Sequence, residues 1–579
     1  MQRDFSKIKN QHFDVLICGG GVYGAWTAYD AALRGLKVAI VDQGDRASAS
    51  SSASSKLIQG GLRYLEKLNF KLVRKTLAER QMLLKTASHR VWPLQIGVPV
   101  YNDRRLGSFR LNISLILYYW LAGTAPKNQG YRRHTSIDFA QNFPCLDSTG
   151  IKAGYTYFDA QTDDARFVLE LIDGAQTNGA VCLNYCKVTG FVEQNGQLCG
   201  AEIHDNINGK STIVYASQLV NCTGQWSADP KNKSHSVRLS KGVHLVLPKT
   251  LGNEALLLTA KADRRVFFII PWYGQTLLGS SDSDYGGDID HLTVETEEVN
   301  YLLNEANRVL KTVNWTEQDI IGRYAGLSVL KPSSSASLYS SNRDWELITS
   351  DNGLLSSIGG RLTSAREDAA SIVDTVCKNL GVNKSCKTYG KSFPWLPAGD
   401  YQKWADSTLR NAVALGIDSE SAHWLLRRHG KKVSAVFELI EQDAELAKRI
   451  LPALPFIAAD LVFCAQNEMV VHLEDLLRRR LPLLILSKMA RVELQRLAEL
   501  AAKSLNWDDN IMNRNANSVR KNGKSCEILE ELLATALRQT HMKRLLKMHQ
   551  TAHWHNYFSL TLCFPRRACF AQGERIYFT

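Results

Sequence analysis

Residues 13–42 constrain the fold more than any other stretch. FDVLIC (13–18) is apolar almost throughout, as a parallel strand buried on both faces must be. GGGVYG (19–24) follows and puts Gly19, Gly21 and Gly24 in the spacing GxGxxG. AWTAYDAALRG (25–35) has helical apolar periodicity and stops at Gly35. KVAIVD (37–42) is a second buried strand, ending in Asp42, 18 residues after Gly24. Gly19 permits the tight turn, Gly21 lets backbone approach a pyrophosphate, and Gly24 lets helix pack on strand. The helix N-terminus attracts phosphate, and Asp42 can accept hydrogen bonds from ribose hydroxyls. A bare glycine turn would need none of the flanking pattern. The unit predicts a doubly wound dinucleotide-binding domain and leaves FAD and NAD both open.

The rest of the chain is organised around that unit. The length of 579 residues exceeds what one core supports, so several domains are expected. DRASASSSASSKLIQGGLRYLE (45–66) is a small-residue run that lets backbone lie against a flat cofactor, and it passes into an apolar segment unlike a serine linker. VCLNYCKVTGFVEQNGQLCGAEI (181–203) predicts paired strands turning at Asn195-Gly196. SQLVNCTGQWS (217–227) reads as a strand ending in a turn, and 353–380 as strand, Gly359-Gly360 turn and helix. No second full GxGxxG occurs, which argues against a separate NAD domain. RVFFIIPWYGQTLLGSSD (265–282) is strand-like, KSFPWLPAGD (391–400) marks a linker, and 401–510 are helical by pattern.

Charge and cysteine content bound the partners. Seventy Lys+Arg against 57 Asp+Glu give +13, which favours anionic partners. Twelve scattered cysteines without a CxxC pair fit reduced thiols in a cytoplasmic setting rather than a zinc or dithiol site. The N-terminal MQRDFSKIKNQHFD lacks the apolar core of a secretory signal. LNISLILYYWLAG (111–123) is too short to span a bilayer and reads as a buried segment, or, flanked by Arg104, Arg105, Arg110, Lys127, Arg132 and Arg133, as one that meets a membrane face. His541, His549, His553 and His555 have no acidic or cysteine partners, so no metal site is expected of them. Arg478, Arg479 and Arg480, with Arg427, Arg428, Lys431 and Lys432, read as solvated basic faces; nucleic-acid binding would need a recognised module.

On these segments the chain resembles the FAD-dependent glycerol-3-phosphate dehydrogenase family of the aerobic, quinone-linked type. The matching pieces are GGGVYGAWTAYDAALRGLKVAIVD (19–42), SSASSKLIQGGLRYLE (51–66), TDDARFVL (162–169), NCTGQW (221–226), LSKGVHLVLP (239–248), FFIIPWYGQTLLGSSDSDYGGD (267–288), IGGRLTSARE (358–367) and EMVVHLEDLLRRR (468–480). The resemblance implies a Rossmann-like FAD-binding domain in three segments (12–95, 161–229, 318–390), an inserted β-rich substrate domain (230–317) and a helical C-terminal domain (391–510). Residues 96–160 would form a connecting, membrane-facing segment, and the tail 511–579 has no recognised counterpart. The implied reaction moves a hydride from C2 of glycerol 3-phosphate to flavin N5, with electrons passing to quinone or oxygen at the inner face of a membrane. A homodimer is within what the resemblance allows. Gly19, Gly21, Gly24, Asp42, Ser51, Ser55, Lys56, Gly359 and Gly360 would hold FAD; Arg63, Tyr64, His244 and Arg361 would handle substrate and proton.

Three positions depart from the family pattern. Gln59 stands where LIHGGLRYL has histidine, Ser328 where SGVRPL has arginine, and Arg361 where GGKLTT has lysine. Gln59 cannot act as a base, and Ser328 cannot reproduce a bidentate arginine–phosphate contact. Arg361 keeps the charge but offers a planar fork; Arg323 is a further cation in reach by sequence. His244 is the base candidate that remains, with a strand-packed histidine as the plain alternative. Three outcomes stay open: the same substrate held differently, a related oxidase or dehydrogenase acting on another alcohol or amine, or a catalytically silent flavoprotein.

Overall fold

The computed structural model describes residues 1–67, 69–101, 108–122, 130–227, 237–330 and 344–522. Strand His12–Cys18 lies inside an eight-stranded sheet, with Val15, Leu16 and Ile17 wholly buried. It pairs in parallel with Val38–Val41 on one side and Ser211–Asn221 on the other. Val181–Leu183 and Leu355–Ile358 extend the parallel set outward. Helices Val22–Leu33, Asp164–Thr177 and Ala365–Asn379 pack together on one face. Trp26 joins them, its ring 6.0 Å from Phe167 and 5.4 Å from Phe393. Each aliphatic side chain so buried contributes about 1.5–3 kcal/mol. The turn read at Asn195-Gly196 joins antiparallel strands Cys186–Gln194 and Gln197–Asp205, both turn residues having positive φ.

A second sheet has nine strands. Its centre is the antiparallel set Gly322–Leu330, Arg238–Leu247, Gln275–Tyr285, Val266–Trp272 and Ala255–Thr259. Ala255–Thr259 then pairs with Val91–Tyr101, which pairs with Ile151–Thr162 and onward to Leu57–Ile58. The β-rich domain is therefore wider than the insertion 230–317. Strands from the stretch read as a connector (96–160) complete it, because unpaired edges of a buried sheet would leave polar backbone unsatisfied. Helix Ser108–Ala122 lies within that stretch.

Helices from Tyr401–Ala414 to Asp509–Asn522 form the C-terminal domain, the last crossing the boundary read at 510. The basic run read as solvated surface is in part interior. Arg428, Arg479 and Arg480 are buried, Arg428 on Asp460 and the other two on Asp45. Arg166 pairs with Glu468 and Arg90 donates to the Arg428 carbonyl, tying the helical domain to the nucleotide-binding one, while His89 and Arg90 meet Glu170 within the latter. Stripping one partner from such a pair costs about 3–5 kcal/mol, since it leaves a buried charge alone. Among the described residues nine cysteines are free thiols, and no helix is long and apolar enough to cross a membrane. The four tail histidines lie outside the described residues.

Candidate cofactor and substrate site

The C-terminal ends of the parallel strands open into a cavity of about 870 Å³. Its lining includes residues 187–191, Gly19, Gly21 and Asp42, and also His244, Ser328 and Arg361. Gly24 packs out of the cavity: a Cβ there would lie 1.9 Å from the Gly19 carbonyl oxygen, so helix and turn touch only because residue 24 has no side chain. Ser51 Oγ accepts from the Val22 N–H at 2.9 Å, on the first turn of the helix. Asp42 Oδ2 accepts from Gly20 N–H at 2.5 Å and Oδ1 from Gly44 N–H at 2.9 Å. Burial raises its carboxyl, opposed by Arg46, a buried guanidinium beside Gly20 that the motif gave no means to find.

The second sheet contributes His244 and Ser328 to the lining. His244 is buried, stacks on Tyr324 at 5.0 Å and 15°, and shares a 2.8 Å hydrogen bond between Nε2 and Ser55 Oγ. Its Nδ1 is buried with no partner among the described residues. Burial, then the Lys56 ammonium, push the ring down to about 3. Arg361 Nε donates to Tyr64 Oη at 3.0 Å, its guanidinium lies 4.3 Å from that ring, and Nη1 reaches Asp344 Oδ1 at 3.3 Å. Gly359 and Gly360, both with positive φ, form the turn before it; a Cβ on Gly360 would strike Tyr23 Oη at 1.7 Å. Gln59, Ser328 and Asp282 also line the space.

Two expected residues sit elsewhere. Lys56 does not face the cavity: its ammonium bonds Asp164 at 2.6 Å and the Ser52 carbonyl at 2.7 Å, between the rings of Trp272 and Tyr324. Arg323 is held 3.8 Å from Glu317 and does not line the cavity. Arg63 falls in the short helix Leu62–Lys67, its side chain outside the described residues. Tyr23, Gln225 and Asp282 also line the cavity; each lies inside a family-like segment, but nothing in those segments sets its side chain apart from its neighbours.

The sequence model of the FAD dependent oxidoreductase family matches residues 14–366, and that of the C-terminal domain of alpha-glycerophosphate oxidase matches 392–511. The glycerol-3-phosphate dehydrogenase of Synechocystis sp. is 34% identical over 503 residues, covering 83% of this chain and 90% of its own. The aerobic glycerol-3-phosphate dehydrogenase of Bacillus subtilis is 30% identical over 540 residues, covering 90% and 97%. The chain belongs to the FAD-dependent glycerol-3-phosphate dehydrogenase family. The solved glycerol-3-phosphate dehydrogenase from Bacillus halodurans, complexed with FAD, matches with a TM-score of 0.73 and 27% identity over 90% of this chain and 96% of that one. As in the family, the cofactor is FAD. The residues present fit it: a glycine turn, a helix N-terminus, an acidic Asp42 held by two backbone N–H groups and a hydroxyl-bearing loop line one cavity.

The buried His244 of this glycerol-3-phosphate dehydrogenase relative sets an acid limit on stability. Its folded ring stays neutral, whereas the unfolded ring protonates below about pH 6.5. Its contribution is therefore full above that pH and is lost as pH falls toward 3. At pH 5 the loss from this residue is about 2 kcal/mol. His89 and His429, also lowered by burial, act in the same direction. Against the upward push of burial, Glu170 is held down to about 2 by His89 and Arg90, and Glu468 by Arg166, so further stability goes below about pH 4.5. Denaturation midpoints at pH 8, 6.5 and 5 should fall slightly over the first interval and most over the last. A midpoint unchanged at pH 5 would contradict the neutral buried ring.

Proposed function

We propose that this flavoenzyme oxidises sn-glycerol 3-phosphate to dihydroxyacetone phosphate and passes the electrons to a quinone in a membrane. The observation that carries the reading is that the paired Arg361 and Tyr64 line the same cavity as His244. Bound FAD supplies the hydride acceptor. Arg361 offers charged donors to a phosphate, and Tyr64 braces the fork. His244 is the base candidate, neutral and with Ser55 fixing the ring; burial and the Lys56 ammonium oppose its protonation, so taking the C2 hydroxyl proton requires a compensating negative charge, which a phosphorylated substrate brings. The names of the relatives point to the same substrate.

The acceptor side is supported by helix Ser108–Ala122. Ile113, Ile116 and Trp120 lie on one exposed face, Trp120 being 74% exposed. On the opposite face Tyr118 donates to Asp159 at 2.7 Å, and its hydroxyl would collide with a Cβ on Gly60, next to Gln59 of the cavity. Residues 104–137 contain six Lys/Arg and no acid, a charge pattern suited to anionic lipid. An apolar face one side-chain layer from the cavity gives a bilayer-dissolved acceptor a short route.

A second reading is favoured by Gln59 and Ser328, which leave the cavity with less positive charge: oxidation of another alcohol or an amine. Anaerobic mixing with a small panel separates the readings. Glycerol 3-phosphate should bleach the flavin; bleaching only by another alcohol or an amine transfers the case to the second, and none at all points to a silent flavoprotein. For the membrane, the protein should co-sediment with anionic vesicles and Trp120→Ser should weaken this several-fold. No co-sedimentation in low salt would remove the bilayer from the reading.

A further inference from the structure

The helical domain reaches the cofactor loop through three successive arginines. Leu476–Arg480 form a π-helical turn, closed by the Leu481 N–H donating to the Leu476 carbonyl at 2.9 Å. Such turns recur where a helix is distorted for function. Here Arg478 lies 5.5 Å from the ring of Tyr324, which stacks on His244. Arg479 and Arg480 point instead at Asp45: Arg479 Nε donates to its Oδ2 at 2.6 Å, and Arg480 donates to both carboxylate oxygens, at 3.0 Å for Nη2. Asn184 Nδ2 adds a bond at 3.1 Å. Asp475 holds the other side of Arg479 at 2.6 Å and accepts from Tyr185 Oη at 2.5 Å. Asp45 and both arginines are buried.

The position of Asp45 gives this cluster its meaning. It lies in the loop whose neighbours Asp42, Gln43, Gly44, Ala47 and Ser48 line the cofactor cavity. The loop's backbone ties, Gly44 carbonyl to Tyr185 N–H and Ala47 N–H to the Gly20 carbonyl, set its path, but among the described residues the ion pairs on the buried carboxylate come from the helical domain. A buried carboxylate without its cations would be driven toward water, and the loop with it. We infer that Arg479 and Arg480 are positioning residues for FAD: acting through Asp45, they hold the 42–51 loop in its cofactor-binding form, so that retention of FAD depends on the docked helical domain. The inference concerns the cofactor and is independent of which substrate reduces it.

The test uses holoenzyme carrying Asp45→Asn or Arg480→Lys. Three quantities are followed: the rate of FAD release on dilution, the melting temperature of the apoprotein, and turnover with excess FAD. D45N should release FAD at least tenfold faster, with turnover per bound flavin restored within twofold by excess FAD. R480K, which keeps the charge and loses the fork, should show about a threefold increase, and it carries the prediction should D45N fail to accumulate. If apoprotein melting falls while FAD release stays within twofold of wild type, the arginines are mere struts and the inference is wrong. Unchanged behaviour in all three measurements overturns it equally.

Discussion

Gly24→Ala yields a folded but colourless protein that does not take up added FAD. The reason is a distance that no rotamer can relieve. A methyl at this position meets the carbonyl oxygen of Gly19 at 1.9 Å and that carbonyl's carbon at 3.1 Å, both backbone atoms of the turn itself. The conflict is removed only by lifting the start of helix Val22–Leu33 away from the strand, which also displaces the N–H groups that face a pyrophosphate. Overpacking of this kind costs about 1–3 kcal/mol in a core, which a chain of this size can absorb, whereas the phosphate geometry cannot. FAD per polypeptide after reconstitution is the measurement. Gly130→Ala, where a Cβ meets nothing within 4 Å, should remain fully yellow. A yellow Gly24→Ala protein with a normal flavin ratio would show that the close packing of helix on turn is not needed for binding.

Features set by neighbouring residues were legible in the sequence, and features set by distant ones were not. The 13–42 unit, the Asn195-Gly196 hairpin and the Gly359-Gly360 turn follow from local chemistry, and all three appear at the expected positions. The second sheet was under-read because Leu57–Ile58, Val91–Tyr101 and Ile151–Thr162 join it through pairings far apart in the chain. Lys56 shows the same limit. It sits in the most family-specific motif, yet Asp164, more than a hundred positions away, takes its charge. Arg479 and Arg480 look like surface in a one-dimensional reading, for nothing near them announces Asp45. His244, Tyr64 and Arg361 were named from resemblance; that they line one cavity, with Arg361 on Tyr64 and His244 on Ser55, needed the fold.

Arg361→Met should lower kcat/KM for glycerol 3-phosphate, the proposed substrate, by between about tenfold and about 100-fold while leaving FAD content intact. A charge-assisted hydrogen bond contributes about 1.5–3 kcal/mol, and each 1.4 kcal/mol is a factor of ten. The upper part of that range is expected because the fork is pre-oriented. Tyr64 Oη accepts from Nε at 3.0 Å and Asp344 meets Nη1 at 3.3 Å, so little freedom is lost when an anion arrives. The contact also stands with less support than the family pattern provides, since Ser328 lines the cavity where that pattern places a second cation. Arg361→Lys should recover part of the loss by restoring the charge without the fork. Ser328→Arg should act in the opposite direction and lower KM for a phosphorylated substrate several-fold, with kcat for an uncharged alcohol unimproved. Should Arg361→Met leave kcat/KM for the phosphoester untouched, the anion must be bound elsewhere in the cavity. The lowered positive charge at Gln59 and Ser328 would then weigh for the second reading, a substrate that brings no phosphate to this end of the site.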